Sequence, residues 1–153
     1  MADSKRQRIV SAIVTRMQGI NGTGSYELNI ASRAEDSRTN WDQNEMPAIS
    51  VFDGDAEATP TSRGLAKGTF HDMQVMIRGF CEQGSTAANA RKLIKDIQTA
   101  IRQDDKWTVA SVPLAMQTRQ VRDGIIRNEG SYEVEGCVVE IAVQFDTEKF
   151  NAE

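Results

Sequence analysis

Few residues in this chain are of the types that carry chemistry, and their spacing decides what each can do. His71 is the single histidine. On an extended chain its neighbours Phe70 and Asp72 point to the opposite face, and no Gly-x-Ser-x-Gly elbow accompanies it, so no nucleophilic triad assembles around it. Cys81 and Cys137 both fall in strand-like segments, away from the glycine-rich turns and helix starts that stabilise a thiolate. Two cysteines 56 residues apart and one histidine match no zinc spacing, and the pair reads as small buried thiols in a reducing compartment. Asp53, Asp55 and Glu57 alternate as at the start of a calcium loop. The sixth loop position would be Ala58 instead of glycine and the twelfth Gly64 instead of glutamate, which leaves a solvated turn. A metal-dependent hydrolase built on these three carboxylates is the rival reading.

Phosphate chemistry is equally bare. Leu65-Ala66-Lys67-Gly68-Thr69 enters a strand instead of a helix, and Asn21-Gly22-Thr23-Gly24-Ser25 follows a helix where a dinucleotide loop would follow a strand. No cofactor site is expected. Two features point outward. Arg119, Arg122 and Arg127, with Gln117 and Gln120 beside them, read as a basic strand face suited to solvent, acidic protein or DNA. Trp41 stands among charged residues, where a large aromatic either folds back onto its domain or anchors a partner.

The elements that must position these residues follow from hydrophobic periodicity. Ile9, Val10, Ile13, Val14 and Met17 recur at helical spacing, which predicts an amphipathic helix over residues 4–19, capped by Asp3 or Ser4 and ended by the glycines from Gly19 to Gly24. Tyr26, Leu28 and Ile30 alternate as a short strand. Residues 31–46 are polar without period and read as a long loop. Pro47 opens a strand through Ala48, Ile49, Val51 and Phe52, and Asp53 to Gly68 read as a second long loop. Residues 69–81 predict a strand with Met73, Val75 and Ile77 on one face and Gly79 as a bulge.

Ala87, Ala90, Leu93, Ile94, Ile97 and Ile101 predict a second helix over 85–104 with Ser85 as its cap, Arg91, Lys92, Lys95 and Asp96 lying off the stripe. A weak strand at Trp107 to Val109, a polar strand at Leu114 to Arg122 and a long strand over 132–146 complete the chain, ahead of a polar tail, 147–153. Leaving the weak strand aside, the order α-β-β-β-α-β-β with polar adjacent strands predicts an α+β fold, a mainly antiparallel sheet with two helices on one face. Phe70, Met76 and Phe80 then fall on the uncovered face, where spare apolar surface suits a subunit contact.

Composition sets the outer bounds. The 153 residues, 39% apolar and 26% charged, fit a single domain with its own core. A net charge of −4 with scattered cations disfavours free nucleic-acid binding. The longest apolar runs, such as Val75-Met76-Ile77, fall far short of the ~20 residues of a spanning helix, so no membrane partner is expected. The charged N-terminus has no leader-like apolar run, which predicts a protein kept inside the cell that makes it.

With the elements placed, the chain resembles the tail-terminator, or tail-completion, proteins of long-tailed phages. The resemblance is one of layout: the N-terminal helix, a long loop into Met46-Pro47-Ala48-Ile49-Ser50-Val51-Phe52, a strand ending near Cys81, a helix from Ser85 to Asp104, and a final strand from Glu135 to Asp146. It implies a hexameric ring of copies of this chain that caps the tail tube, stops its growth and meets the head-side connector, while DNA passes through the lumen without specific binding. It implies no enzyme activity, and a life in the host cytoplasm during assembly and then in the virion tail. Phe70, Met76 and Phe80 are the expected subunit contacts. Arg33, Glu35, Asp36, Arg38, Trp41, Asp42, Arg63, Lys67, Arg119 and Arg122 are expected at the tube or connector. Another head-completion or neck protein is the alternative.

Overall fold

The computed structural model describes residues 4–60 and 68–148, the side chains of 58–60, 68, 69 and 148 aside. Helix α1 spans Lys5–Gln18 and buries Ile9, Val10, Ile13 and Met17 of the predicted stripe, with Val14 half-buried. Ser4 is the cap, its hydroxyl accepting the backbone N–H of Gln7 at 3.1 Å. The helix stops at Gly19 without a left-handed turn there; Gly22 and Gly24, at φ of 76° and 63°, make the turns that follow.

Tyr26, Leu28 and Ile30 do not form the expected strand. A bridge between Asn21 and Asn29 is all that pairs in this stretch, and Ile30 drops into the core from a loop. The segment expected as a long loop instead contains strand β1, Ala34–Asp36, and a 3-10 turn, Gln43–Glu45. Strand β2, Ala48–Pro60, and strand β3, Gly68–Phe80, form a long hairpin, so most of the second expected loop is strand as well. An irregularity between Asp53 and Ala56 breaks the β2 alternation, which is why Asp53-Gly54-Asp55 reads as a turn from sequence. Arg63 and Lys67 lie outside the described residues.

Helix α2, Ala87–Gln103, starts at Thr86 and not at Ser85: the Thr86 hydroxyl accepts the N–H of Asn89. Strands β4, Thr108–Val109, and β5, Val112–Pro113, make a small separate ribbon. Strands β6, Gln117–Arg127, and β7, Val134–Glu148, complete the main sheet in the order β1-β2-β3-β7-β6. Every neighbour in that sheet is antiparallel except β1, which runs parallel to β2. The fold is α+β, with both helices on one face of a mostly antiparallel sheet.

The core lies between that face and the helices: Met73, Val75 and Ile77 of β3 and Cys137, Val139, Ile141, Val143 and Phe145 of β7 meet Leu93, Ile97 and Ala100 of α2. Each such large side chain contributes about 1.5–3 kcal/mol by leaving water. Gly79 is not a bulge; it pairs regularly with Ile49 and Cys137, and its bare backbone is what lets Leu93 approach the sheet.

Candidate interaction surfaces

The residues suited to chemistry are placed in structural roles. His71 stacks on Phe145 at 4.9 Å, and its Nε2 shares a 2.8 Å hydrogen bond with the Thr147 hydroxyl. Burial raises the Cys81 thiol above its ordinary range and pushes that of Cys137 up to about 12, so neither supplies a thiolate near neutral pH. Asp53 is paired with Arg6 of α1 at 2.6 Å, and no group of three His, Cys, Asp or Glu among the described residues is arranged to hold a metal.

The sheet face away from the helices is patterned by charge. Arg119 of β6 pairs with Asp72 of β3 at 3.0 Å, Arg122 binds both oxygens of Glu140 at 2.6 and 3.2 Å, and Gln117 reaches Gln144 at 3.0 Å. Exposed pairs of this kind add little stability. They leave a face of matched charges around half-buried Phe70, Phe52 and Met76. At its free edge, β6 is interrupted at Val121 and lined by arginines, features that discourage strand-to-strand addition.

Phe80 is not part of the uncovered apolar surface. It is 8% exposed and packs with Ala48 under Trp41, and the Arg78 guanidinium lies over its ring at 4.7 Å. Trp41 thus folds back onto its own domain: its indole N–H donates to the buried Ser50 hydroxyl at 2.8 Å, and the Arg38 guanidinium covers its ring at 3.9 Å. Arg38 in turn bonds Glu35 and, at 2.9 Å, Glu45, while Arg33 donates to the Pro47 carbonyl at 3.2 Å. These contacts order the 31–46 segment against the sheet. Glu35, Asp36 and Asp42 stay exposed on it.

Sequence reasoning missed the role of α2 as a clamp for two loops. Asp96, expected on the solvent side, is fully buried and accepts the backbone N–H groups of Glu27 and Leu28 at 2.9 and 2.8 Å. Burial raises its carboxyl above the ordinary aspartate range, the two N–H bonds pulling the other way and losing. At the helix end, Asp104 accepts from Lys106 at 3.1 Å and Thr108 at 2.7 Å, with Arg16 at 3.6 Å. There burial raises the carboxyl, but the N–H bonds and Arg16 outweigh it and the net shift is downward. Trp107 is locked beside it, buried, its indole N–H on the Thr118 hydroxyl at 2.8 Å.

Between the two clamped loops and the outer side of α1 runs a groove of about 550 Å³, lined by Arg8, Arg16, Tyr26, Trp107, Val109 and Leu114 among others. The β4–β5 ribbon at its lip exposes Val109 and Val112. Two valines flanking a two-residue turn signal a hairpin, but Ala110-Ser111 is not the Asn-Gly type of turn that betrays one in sequence, even though both residues take positive φ.

A scan against protein-family models finds none that matches this chain, and no curated protein matches it in sequence. Among solved structures, a chain of the "Virion of native gene transfer agent (GTA) particle" superimposes with a TM-score of 0.50 at 13% sequence identity. The match covers 94% of this chain and 92% of that one. The likeness is one of fold. At that coverage it takes in nearly the whole chain. No helix among the described residues is long and apolar enough to cross a membrane.

Proposed function

We propose that this chain is a structural virion protein of the tail-terminator type: copies form a ring that caps the tail tube, stops its growth and offers a surface for the head-side connector. The observation that carries this reading is the fold shared with a chain of a gene transfer agent virion over 94% of the length. The placement of the chemistry-bearing residues supports it too, since His71, Cys137 and Asp53 are each engaged in packing or pairing.

In this reading Phe70 and Met76, on the open sheet face, remain subunit contacts, whereas Phe80 leaves that set because Trp41 covers it. Glu35, Asp36 and Asp42, with Arg119 and Arg122 on β6, present charge to tube or connector. Arg33, Arg38 and Trp41 act one step back by holding the 31–46 segment in shape. Polar, charge-matched surfaces suit parts that fold separately and dock later. The net charge of −4 is compatible with a lumen that DNA traverses without sticking.

Mixing the protein with purified tail-tube subunits tests the reading. Tubes imaged by electron microscopy should be shorter and more uniform in length, with the protein at one end. Unchanged tubes together with binding to a portal complex would replace it by a head-side neck role.

A further inference from the structure

The molecule carries an apolar knob and an apolar groove that cannot meet within one copy. The knob is Tyr132, 78% exposed at the turn between β6 and β7. The turn is well fixed: the N–H of Asn128 donates to the Glu133 carbonyl at 2.7 Å, that of Tyr132 to the Asn128 carbonyl at 3.0 Å, and Arg127 to the Tyr132 carbonyl at 3.3 Å. Tyr132 sits at a φ of 57°, a conformation that bulky residues seldom adopt, and the turn's hydrogen bonds hold it there. Glu129 and Glu133 flank it, both exposed.

The groove beside α1 lies at the other end of β6, next to Trp107 and its partner Thr118. From Thr118 to the turn the strand runs for roughly 30 Å at the usual rise per residue. A contact between two such separated patches is heterologous, and repeated head to tail it closes into a ring when the rotation per copy allows. The chemistry matches at each position. Half-buried Tyr26 and exposed Val109, backed by the buried Trp107 and Leu114, offer an apolar bed for an aromatic ring; Arg8 stands exposed at the rim and Arg16 beside it, its charge partly answered by Asp104.

We propose that Tyr132 of one copy docks in the α1 groove of the next, with Glu129 and Glu133 facing Arg8. This rests on the ring reading and gives the ring interface its direction. The β6 edge, interrupted and arginine-lined, is poorly suited to adding strands, so a knob-in-groove contact supplies what edge pairing does not. The aromatic ring is the anchor and the carboxylates set its orientation and approach.

The test uses the full chain, with assembly followed by mass across a concentration series, alone and with tube ends. Tyr132→Ala should raise the half-assembly concentration by about tenfold or more, the effect of losing an interface anchor, with an unchanged circular dichroism spectrum. Arg8→Glu should weaken assembly, and adding Glu129→Arg and Glu133→Arg to it should restore it. Copies bearing Val109→Cys mixed with copies bearing Tyr132→Cys, once assembled and treated with oxidised glutathione as the oxidant, should form an intercopy disulfide; Cys81 and Cys137 are buried and do not compete. Wild-type-like assembly by Tyr132→Ala, or no disulfide between the Val109→Cys and Tyr132→Cys copies once they have assembled, would overturn this contact and leave the ring reading standing. A wild-type protein that never exceeds the monomer mass would overturn both.

Discussion

Asp96 of α2 accepts the backbone N–H of Leu28 at 2.8 Å, joining the second helix to the loop that follows the first. Its other oxygen takes the N–H of Glu27, so two backbone donors depend on one buried carboxylate. Asp96→Asn turns an amide donor toward one of those N–H groups, and Asp96→Ala abandons both. The expected loss is about 1–2 kcal/mol for Asp96→Asn and more for Asp96→Ala, which leaves both backbone donors without their acceptor. Urea unfolding measures it, and a change under about 0.5 kcal/mol, the scale of an ordinary surface substitution, would place Asp96 outside the framework.

The two aspartates of α2 should give opposite pH signatures. Asp96 has a folded-state pKa above its unfolded one, so the folded protein holds that proton more tightly; its contribution is full below an unfolded value of about 4 and is lost as pH rises through the raised value. Asp104 is shifted down, so its contribution is present above about 4 and is lost as pH falls through the lowered value. Relative to the wild type, the deficit of Asp96→Asn should therefore shrink as pH rises from about 3 to 7, while that of Asp104→Asn should grow. Unfolding midpoints at several pH values read both, and two parallel curves would contradict the assignment.

Glycines on the sheet separate close approach from mere sequence preference. An added Cβ at Gly79 would lie against Leu93 and 2.8 Å from the Cys137 sulfur, and one at Gly136 would run into the Gly79 backbone carbonyl. At Gly124 it would meet nothing within 4 Å. Gly79→Ala should cost about 1–3 kcal/mol by overpacking, and Gly136→Ala more, because backbone cannot swing aside. Gly124→Ala should stay within about 0.5 kcal/mol. Thermal unfolding of the three variants gives the order.

Trp41 pins the 31–46 segment. Trp41→Ala removes its cover from Phe80 and leaves the buried Ser50 hydroxyl without its donor, for an expected loss of about 3 kcal/mol. Trp41→Phe keeps most of the cover and loses only the hydrogen bond, about 1 kcal/mol. Equal losses in the two variants would mean that packing on Phe80 contributes little.

The sequence revealed what periodicity records. Ile9, Ile13 and Met17, and Leu93 and Ile97, repeat at the helical period and are all buried; Val139 to Phe145 alternate and line the core. Asp96 escaped because a charged residue off the stripe reads as solvated, and its partners are backbone groups nearly seventy positions away, which no side-chain pattern marks. The β2 strand was lost after Asp53 because its irregularity breaks the alternation. Phe80 taken singly reads as spare and Trp41 as either folded back or an anchor, and only the tertiary fold puts one on the other. The last strand, expected over 132–146 ahead of a polar tail, instead runs from Val134 to Glu148: it takes in Thr147, which is buried, and leaves Tyr132 in the exposed turn before it.

Mass measurement of the purified protein across a concentration series, with and without tail-tube ends, tests the account most directly. The account predicts a single closed assembly of fixed copy number, six by the family resemblance, that gathers at tube ends. A monomer at every concentration, tube ends present, would contradict it.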